Sequence, residues 1–524
     1  MKLSLVRPTV IAVCAVFLAA AALVVRPPFV VAETASLVDP VAEAIAGIFA
    51  ADAAPLPAVD ADTRAALRQI YAGRGNRPIW VTAQGPSPLG KDLVSRLTAL
   101  KSIHPSSADA PIPETGGMTG AAAVKTLAEF DLRLSAAFAA AAVRPSDPML
   151  AARPAAALEV AQSATPARTL HMMLPVDPGF WRLRAGVTAY AGIAAAGGWG
   201  AVPDGPKLEL GADGPRVAAL RQRLAVSGDA IEAGTGPIDQ PLVDAIEHFQ
   251  ARHGLAVDGV VGPATLAALN QPVAARLQSL HYNLRRLQQQ DRNWGDRYVA
   301  VNIAAAAYRL VVSGQVVLQR PAVVGKPSWP TPTLDSVIDQ VELHPYWRIP
   351  MRIADLEVWP KQEADPGYFA ARGIRVIGDR LRQDPGPANP LGVVKFLFDN
   401  PYSVYLHDTT SPGLFAQARR FFSHGCVRVS DADQLAKDLL STDPAWSPDK
   451  VAEALAHGGN RRIALLEPIP VHIVYDTAWV DPDGTVEFRA DVYHRDRLSP
   501  KDALPAGIPV SDAGTGAATG ACDG

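Results

Sequence analysis

A cysteine, Cys426, directly follows the tripeptide Ser423–Gly425, and a histidine, His407, lies upstream in the same stretch. A cysteine attacks a carbonyl carbon as the thiolate, so a catalytic cysteine needs a base that takes its proton or a cationic environment that lowers its pKa. His407, His424 and Arg428 can supply those groups. The stretch therefore predicts a cysteine nucleophile with His407 as its base.

Each of these residues alone also has a structural explanation. A cysteine between Gly425 and Val427 is often a small buried hydrophobic side chain, and a histidine at a strand end is often only a hydrogen-bonded polar group. Fragments of a motif are weak signals by themselves. The joint occurrence of the cysteine, the histidine and the glycine turn favours the catalytic interpretation.

The alternation of residue types indicates how His407 is positioned. Two apolar residues, Val404 and Leu406, alternate with polar ones, which predicts a strand with one apolar face. Tyr405 and His407 then lie on its other face and look out of the sheet. The side chain of Asp408 would point to the opposite face from His407, which argues against a triad that includes this aspartate.

A second strand is predicted to begin at Cys426, because the segment Cys426–Val429 alternates directly after a glycine turn. Ser430 is predicted to cap the following helix, with Asp433 as the acidic partner of a capping box. Leu435 and Leu439 would lie on one face of that helix.

The motif made by His407 and the run Ser423–Arg428 resembles the signature of the L,D-transpeptidases, the cysteine enzymes that cross-link peptidoglycan. The resemblance implies that Cys426 is the nucleophile and that His407 is the base, oriented by a backbone carbonyl. The residues that it implies for shaping the site or the oxyanion hole are Ser423, His424, Gly425 and Arg428. The residues expected to contact the substrate are Tyr346, Trp347 and Tyr405.

The same resemblance implies the reaction and its partners. Cys426 would attack the carbonyl before the terminal D-alanine of a stem tetrapeptide, release D-alanine, and pass the acyl group from a thioester to an amine of a second stem as a 3→3 cross-link. The partners would be the two peptidoglycan stem peptides, no cofactor is expected, and carbapenems would acylate Cys426. Alternatives with the same cysteine are an L,D-carboxypeptidase and a wall-protein ligase or amidase. An alternative of another class is a non-catalytic peptidoglycan-binding scaffold.

Length and composition indicate a multidomain α+β protein. The chain has 524 residues, 48% of them hydrophobic and 19% charged, which is enough for several cores. Lys plus Arg number 49 against 52 Asp plus Glu, and aromatic residues make up only 6%. This balance gives no basic field for nucleic acid, so we expect no nucleic-acid partner.

Residues 1–32 read as an export signal. Lys2 and Arg7 precede an apolar run, Thr9–Val25, which is followed by Arg26 and a candidate cleavage context at Val30–Ala32. The run is short for a membrane span and long for a signal core, so an uncleaved inner-membrane anchor is the alternative to a cleaved signal peptide. Either case predicts a periplasmic protein.

The chain has three cysteines, Cys14, Cys426 and Cys522. Cys14 lies in the signal region without a lipidation context, and Cys522 lies in the Gly- and Ala-rich tail, 506–524, which reads as disordered. In an exported protein without a disulfide framework, we expect a retained cysteine to be kept for its reactivity, with a structural pair between Cys426 and Cys522 as the alternative.

Two modules are predicted before the catalytic region. Residues 33–206 are mostly helical by their apolar period, and resemble the scaffold domain of the larger L,D-transpeptidases. Residues 207–272 resemble a three-helix peptidoglycan-binding module, in which Asp239 caps the second helix and Gly262 precedes the third. His248 and His253 lack the spacing of a helical zinc pair, so no metal site is predicted.

Residues 298–495 are predicted to form a mostly β catalytic domain. The strands expected first are Val299–Leu310 and Val316–Val323, joined by a hairpin at Gly314, and then Val337–Leu343. A helical capping insertion is expected at about 350–390, whose aromatic residues either line the cleft or form the insertion's own core. Two further strands within 468–492 are expected to complete the sheet.

Overall fold

The computed structural model describes the chain in six segments. The predicted signal or anchor and the tail with Cys522 lie outside the described residues. No helix in the described part of the chain has the length and apolar character that a membrane span requires. The described residues are 39–50, 61–103, 120–142, 155–230, 234–290 and 292–497.

The chain has a helical N-terminal half followed by a mostly β C-terminal half. The helices are α1 (Pro40–Ala50), α2 (Ala61–Ala72), α3 (Pro88–Ile103), α4 (Ala121–Ala141), α5 (Ala156–Gln162), α6 (Pro166–Met173), α7 (Pro178–Ala195), α8 (Pro215–Val226), α9 (Gln240–Arg252), α10 (Pro263–Leu269), α11 (Val273–Gln289), α12 (Met351–Ile353), α13 (Trp359–Ala364), α14 (Tyr368–Arg372), α15 (Ala432–Leu440) and α16 (Pro448–His457). The strands are β1 (Val81–Thr82), β2 (Gly85–Pro86), β3 (Tyr298–Asn302), β4 (Ala307–Val312), β5 (Gln315–Gly325), β6 (Leu334–Leu343), β7 (Trp347–Ile349), β8 (Ile374–Ile377), β9 (Arg380–Gln383), β10 (Val394–Phe398), β11 (Leu406–His407), β12 (Phe421–Ser423), β13 (Val427–Val429), β14 (Arg461–Val474), β15 (Ala478–Val480) and β16 (Val486–Phe488).

Helices α1 to α7 and α11 share one apolar core, the helical core. Its largest fully buried side chains include Trp80, Tyr71 and Phe138. The buried carboxylate of Asp131 accepts hydrogen bonds from the backbone of residues 79–81 and from the Tyr71 hydroxyl. A buried charge is stable only when it is hydrogen-bonded in this way, so Asp131 ties α4 to the β1 segment.

Helices α8, α9 and α10 form the three-helix module that the sequence predicts. The carboxylate of Asp239 caps α9 by accepting a hydrogen bond from the Leu242 N–H at 3.2 Å. Gly262 precedes α10, which begins at Pro263. Phe249 and the other apolar residues of the three helices fill a separate core, so the periodicity of the sequence is confirmed.

The catalytic region is a β-barrel. Strand neighbours follow the order β5, β13, β11, β10, β6, β14, β3 and β4, and β4 also pairs with β5, which closes the sheet. The predicted single strand Val299–Leu310 is wrong, because β3 ends at Asn302 and the chain reverses through Ala306 at φ 47° into β4. The predicted hairpin at Gly314 is confirmed at φ 71°.

The insertion between β6 and β10 is helical at its start, as predicted, and also contains strands. Helix α12 continues through a π-helical turn, Ala354–Val358, into α13. Strands β7, β9 and β8 then make a small antiparallel sheet beside these helices. Ile349, Val358 and Leu381 belong to a small apolar core of the insertion.

The start of α15 differs from the sequence prediction. Ser430 does not cap it, because its N–H donates to the Pro321 carbonyl and its own carbonyl accepts from the Tyr308 hydroxyl, which holds it to the barrel. Asp431, at φ 51°, occupies the N-cap without a side-chain cap bond, and Asp433 pairs with a lysine one turn later. The capping box is therefore wrong, although the buried face of α15 is confirmed.

The last strands leave the barrel. Only β14 joins the sheet, whereas β15 and β16 pair with each other and pack on the helical core, which includes Ala478, Val480 and Phe488. The prediction that both final strands complete the sheet is therefore wrong. A buried ion pair between Arg292 and Asp476, at 2.7 Å, holds the chain where it departs from β14.

Candidate active site

The residues of the cysteine–histidine motif meet on neighbouring strands. Strand β11 runs parallel to β13, with Leu406 opposite Val427 and His407 opposite Arg428. Leu406 and Val427 lie in the barrel core, so His407 and Arg428 face outward together, as do Tyr405 and Cys426 two positions earlier. The fold thus brings together the predicted nucleophile and the predicted base on one face.

The turn before Cys426 is held by two hydroxyl groups. Ser423 Oγ donates to the Cys426 carbonyl at 2.5 Å and accepts from the Gly425 N–H at 3.1 Å. The buried Thr331 donates to the Gly425 carbonyl at 2.9 Å and accepts from the Gly325 N–H at the same distance. Gly425 has φ 113°, a backbone conformation that other residues rarely adopt, so glycine is required to form this turn.

Cys426 as a whole residue is partly exposed, and it forms no disulfide within the described part of the chain. Burial of the thiol raises its pKa, and hydrogen bonds from the backbone and side chain of Tyr405 and the charges of Lys395 and Arg428 oppose this without reversing it. The expectation of a cysteine whose surroundings lower its pKa is therefore wrong for this geometry. A neutral thiol needs a base to take its proton during attack.

His407 is arranged as that base. Its Nδ1 donates to the Asp408 carbonyl at 2.6 Å, so Nε2 is the ring nitrogen that can accept a proton. Burial, followed by the charges of Arg428 and Lys395, lowers the pKa of His407 to about 3. The imidazole is neutral at neutral pH. The Asp408 carboxylate instead accepts from the Val393 N–H at 2.8 Å, on the other face as predicted.

His424 lies in a different environment from His407. Its Nε2 is 2.6 Å from Glu357 Oε1 in the insertion and 3.2 Å from the Lys326 ammonium. The Trp329 ring packs edge-on against the imidazole, with the Arg352 guanidinium over that ring at 4.0 Å. His424 therefore connects the cysteine turn to the insertion.

The three residues expected to contact substrate separate into two groups. The Tyr405 side chain lowers the pKa of Cys426, and Trp347 acts in the same direction on the pKa of Tyr405, so both lie beside the nucleophile. Tyr346 instead lies under the Arg382 guanidinium at 4.2 Å. Trp347 is also partly buried against the small apolar core of the insertion.

Some residues around the site are absent from the sequence prediction. The Lys395 ammonium lies 3.9 Å from the centre of the Tyr405 ring, and Glu357 and Thr331 contact the cysteine turn. The alternation of apolar residues in β10 is a signal that could have placed Lys395 on the outer face, but its neighbours across the sheet depend on strand register. Among the described residues, no group of three or more His, Cys, Asp or Glu side chains is arranged to hold a metal ion.

Three family models match the chain. Residues 296–448 match the L,D-transpeptidase catalytic domain, YkuD, and residues 213–269 match the putative peptidoglycan binding domain. Residues 65–146 match the family described as the scaffold domain.

Two curated relatives are similar over parts of the chain. A putative L,D-transpeptidase of Haemophilus influenzae is 30% identical over 220 residues, which cover 38% of this chain and 44% of that protein. The N-acetylmuramoyl-L-alanine amidase CwlL of Bacillus licheniformis is 39% identical over 67 residues, or 12% of this chain and 19% of that protein. The chain therefore spans less than half the length of the curated relatives that it matches.

Solved structures of the same class are more distant. An L,D-transpeptidase from Xylanimonas cellulosilytica is 19% identical, with 52% of this chain and 99% of that chain covered and a TM-score of 0.19. An LD transpeptidase in complex with imipenem is 17% identical, with 34% and 59% covered and a TM-score of 0.19.

Proposed function

Because the chain carries a YkuD-type L,D-transpeptidase catalytic domain and a peptidoglycan-binding domain, we propose that it forms 3→3 cross-links between peptidoglycan stem peptides through a thioester on Cys426. The observation that carries the proposal is the placement of a cysteine and a neutral, oriented imidazole on one face of the barrel. A nucleophile and a base in this arrangement fit acyl transfer.

In the first half-reaction, the Cys426 sulfur bonds to the carbonyl carbon between the third stem residue and the terminal D-alanine. His407 Nε2 takes the thiol proton as the bond forms and passes it to the nitrogen of the departing D-alanine as the carbon–nitrogen bond breaks. The raised pKa of Cys426 and the low pKa of His407 support proton transfer during attack rather than a preformed thiolate–imidazolium pair.

The tetrahedral oxyanion needs hydrogen-bond donors beside the sulfur. The Gly425 N–H is already bonded to Ser423, so the Cys426 N–H is the donor that we assign from this turn. The Tyr405 side chain, which lowers the pKa of the thiol, is the side-chain donor that we assign beside it. Ser423 and Thr331 act by holding the turn that aims the backbone.

In the second half-reaction, an amine of another stem attacks the thioester carbonyl and the carbon–sulfur bond breaks. The proton of the amine passes to His407 and then to the Cys426 sulfur, which restores the free thiol. Water is the competing acceptor. The contact between His424 and Glu357 places the insertion against the cysteine turn, where it limits the access of water.

The three-helix module indicates where the protein acts and what it binds. A peptidoglycan-binding domain and an L,D-transpeptidase domain both imply an extracytoplasmic location, and we propose the periplasm. The module contacts the rest of the protein through Arg252, which pairs with Asp229 and donates to Tyr190 of α7 and to the Val486 carbonyl. It thereby holds the catalytic barrel near the sacculus.

The proposal is tested on tetrapeptide muropeptides with the purified protein. We expect 3→3 dimers and free D-alanine by mass spectrometry, and a mass shift on Cys426 with a carbapenem. Cys426→Ala should abolish the dimers and the adduct, whereas Cys522→Ala, the matched control, should keep both. Tripeptide monomers without dimers would instead assign a carboxypeptidase, and binding to sacculi with no thiol reactivity would leave only a wall-binding scaffold.

A further inference from the structure

A row of polar side chains crosses the barrel from the active site. Strand register places one residue of each of five adjoining strands directly opposite the next, from β14 through β6, β10 and β11 to β13. We name these residues the polar row: Arg462, Glu342, Lys395, His407 and Arg428.

The polar row lies on the outer face of the barrel. Directly opposed residues share a face, and the residues that alternate with the row, including Val341, Phe396 and Leu406, fill the barrel core. Cys426 lies two positions before Arg428, so the thiol shares this face. The row is therefore continuous with the active site.

Charges alternate along the part of the row beyond Lys395. The Arg462 guanidinium is 3.4 Å from Glu342 Oε2, and Asn460 donates to Glu342 Oε1 at 2.9 Å. Glu342 is buried and stands next to Lys395 in the register. A buried carboxylate favours a neighbouring ammonium, so Glu342 stabilises the charged form of Lys395 even though burial lowers the pKa of this lysine.

Lys395 reaches toward the nucleophile. Its ammonium lies 3.9 Å from the centre of the Tyr405 ring, a cation–π contact, and Tyr405 is the residue directly before Leu406, which pairs with Val427 next to Cys426. Lys395 is thus directly opposite His407 in the sheet, and the Tyr405 ring lies between its ammonium and the Cys426 sulfur.

We infer that Lys395 is a positioning residue of the acyl-transfer site. Together with Arg428 on the opposite side, it places His407 between two positive charges, which keeps the imidazole uncharged and favours negative charge on the Cys426 sulfur. This inference rests on the proposed function, because it assigns a role in the reaction of Cys426.

A nearby positive charge affects the charge state of the imidazole and that of the thiol in opposite ways. A cation beside an imidazole disfavours protonation of the ring, whereas a cation beside a thiol favours the thiolate. Both Lys395 and Arg428 act on His407 and Cys426 in these directions. The titratable and charged groups placed around His407 are Lys395 from β10, Arg428 from β13, Cys426 directly before β13, Tyr405 directly before β11, and Glu342 from β6 behind Lys395.

The test measures two pH profiles of the full chain. The first profile is the rate of carbapenem acylation, measured by intact mass at low carbapenem concentration; its fall at acid pH gives the pKa of His407. The second is the rate of alkylation by iodoacetamide, whose rise with pH gives the pKa of the Cys426 thiol. In Lys395→Met we expect both midpoints to move to higher pH by about one unit, since one nearby positive charge is lost. Lys395→Arg should keep both near their wild-type positions.

Arg462→Met is the matched control, because Arg462 belongs to the same row but is separated from His407 by Glu342 and Lys395. We expect it to leave both midpoints in place. A purely structural role of Lys395 would lower the rates equally at every pH without moving either midpoint, and that result would overturn the inference. If Lys395→Met does not fold, the alkylation midpoint of Lys395→Gln decides.

The two proposals fail differently. Wild-type protein that is acylated at no pH contradicts the proposed function itself. Wild-type protein that is acylated, with unshifted midpoints in the neutral Lys395 variants, contradicts only the role of Lys395.

Discussion

The Nδ1 atom of His407 donates a hydrogen bond of 2.6 Å to the backbone carbonyl of Asp408, the next residue in the chain. A carbonyl can only accept, so this bond fixes which ring nitrogen carries the proton and leaves Nε2 as the base. The Asp408 carboxylate is turned to the Val393 N–H on the other face. The orientation of the base therefore comes from the main chain rather than from a third acidic side chain.

Asp408→Asn tests this assignment. The substitution keeps the backbone carbonyl, so we expect acylation of Cys426 to stay within about threefold of wild type. The weaker bond to the Val393 N–H should lower the free energy of unfolding by about 1 kcal/mol, measured by urea denaturation. A loss of acylation by several orders of magnitude in a folded Asp408→Asn protein would assign the carboxylate to the catalytic machinery after all.

The protonation state of the thiol gives a second prediction. Burial raises the pKa of Cys426 above its usual 9.0, so alkylation of the wild-type protein by iodoacetamide should rise with pH and reach its midpoint above pH 9. His407→Gln should leave that alkylation profile nearly unchanged while it abolishes acylation by a carbapenem. A thiolate plateau that extends below pH 7 and disappears in His407→Gln would indicate a preformed ion pair instead.

The stability of the protein should depend on pH through His407. Its pKa is about 3 in the folded protein and about 6.5 in an unfolded chain, so between these values the unfolded chain binds the additional proton. The contribution of the neutral imidazole is present above about pH 6.5 and is lost toward pH 3, with a slope of up to about 1.4 kcal/mol per pH unit.

His407→Gln lacks this titration. Urea unfolding between pH 7 and pH 4 should therefore show the wild type losing stability faster than the variant as the pH falls. Parallel curves for the two proteins would mean that His407 has the same pKa in the folded and unfolded states.

The contact between His424 and Glu357 predicts a role for the insertion in product choice. Glu357→Gln weakens a partly exposed contact, worth about 0.5 to 1 kcal/mol, so the ratio of cross-linked to hydrolysed product should fall by about two- to fivefold. Hydrogen exchange of residues 351–364 should increase.

Glu363→Gln is the matched control, since Glu363 is exposed on the same helical segment. It should alter neither the product ratio nor the exchange. An unchanged ratio in Glu357→Gln would show that the insertion excludes water without this contact.

Thr331 links the cysteine turn to the end of β5 and predicts a coupled loss. Thr331→Val leaves the Gly425 carbonyl and the Gly325 N–H without their buried partner, which should lower the free energy of unfolding by about 2 kcal/mol. The acylation rate should fall as well, because the turn that aims the Cys426 N–H is released. Thr410→Val, on an exposed threonine, should change stability by less than about 0.5 kcal/mol.

The sequence was sufficient for features set by local periodicity. The apolar alternation around His407 identified its strand face, and the helix periods and the Asp239 cap defined the three-helix module. The pKa direction of Cys426 was wrong because it depends on how many groups enclose the sulfur, which no spacing in the sequence encodes. The sign of that effect follows from tertiary burial.

Other predictions from the sequence were wrong or lacking because the partners of these residues are distant in the chain. Ser430 has good capping chemistry, but two hydrogen bonds to the barrel hold it outside the helix. Lys395 and Glu357 carry no local signal of their roles, since their partners come from strand register and from the insertion. The same reason explains β15 and β16, whose apolar residues suit either the barrel or the helical core.

The hairpin of β15 and β16 also bears on how the chain is assembled during synthesis. Helices α1 to α7 leave the ribosome long before Ala478, Val480 and Phe488, which belong to the same apolar cluster. The cluster stays incomplete until the barrel residues between helix α7 and Ala478, and then the last strands, have been synthesised. We therefore expect the helical core to reach its native packing only after the last strands have been synthesised.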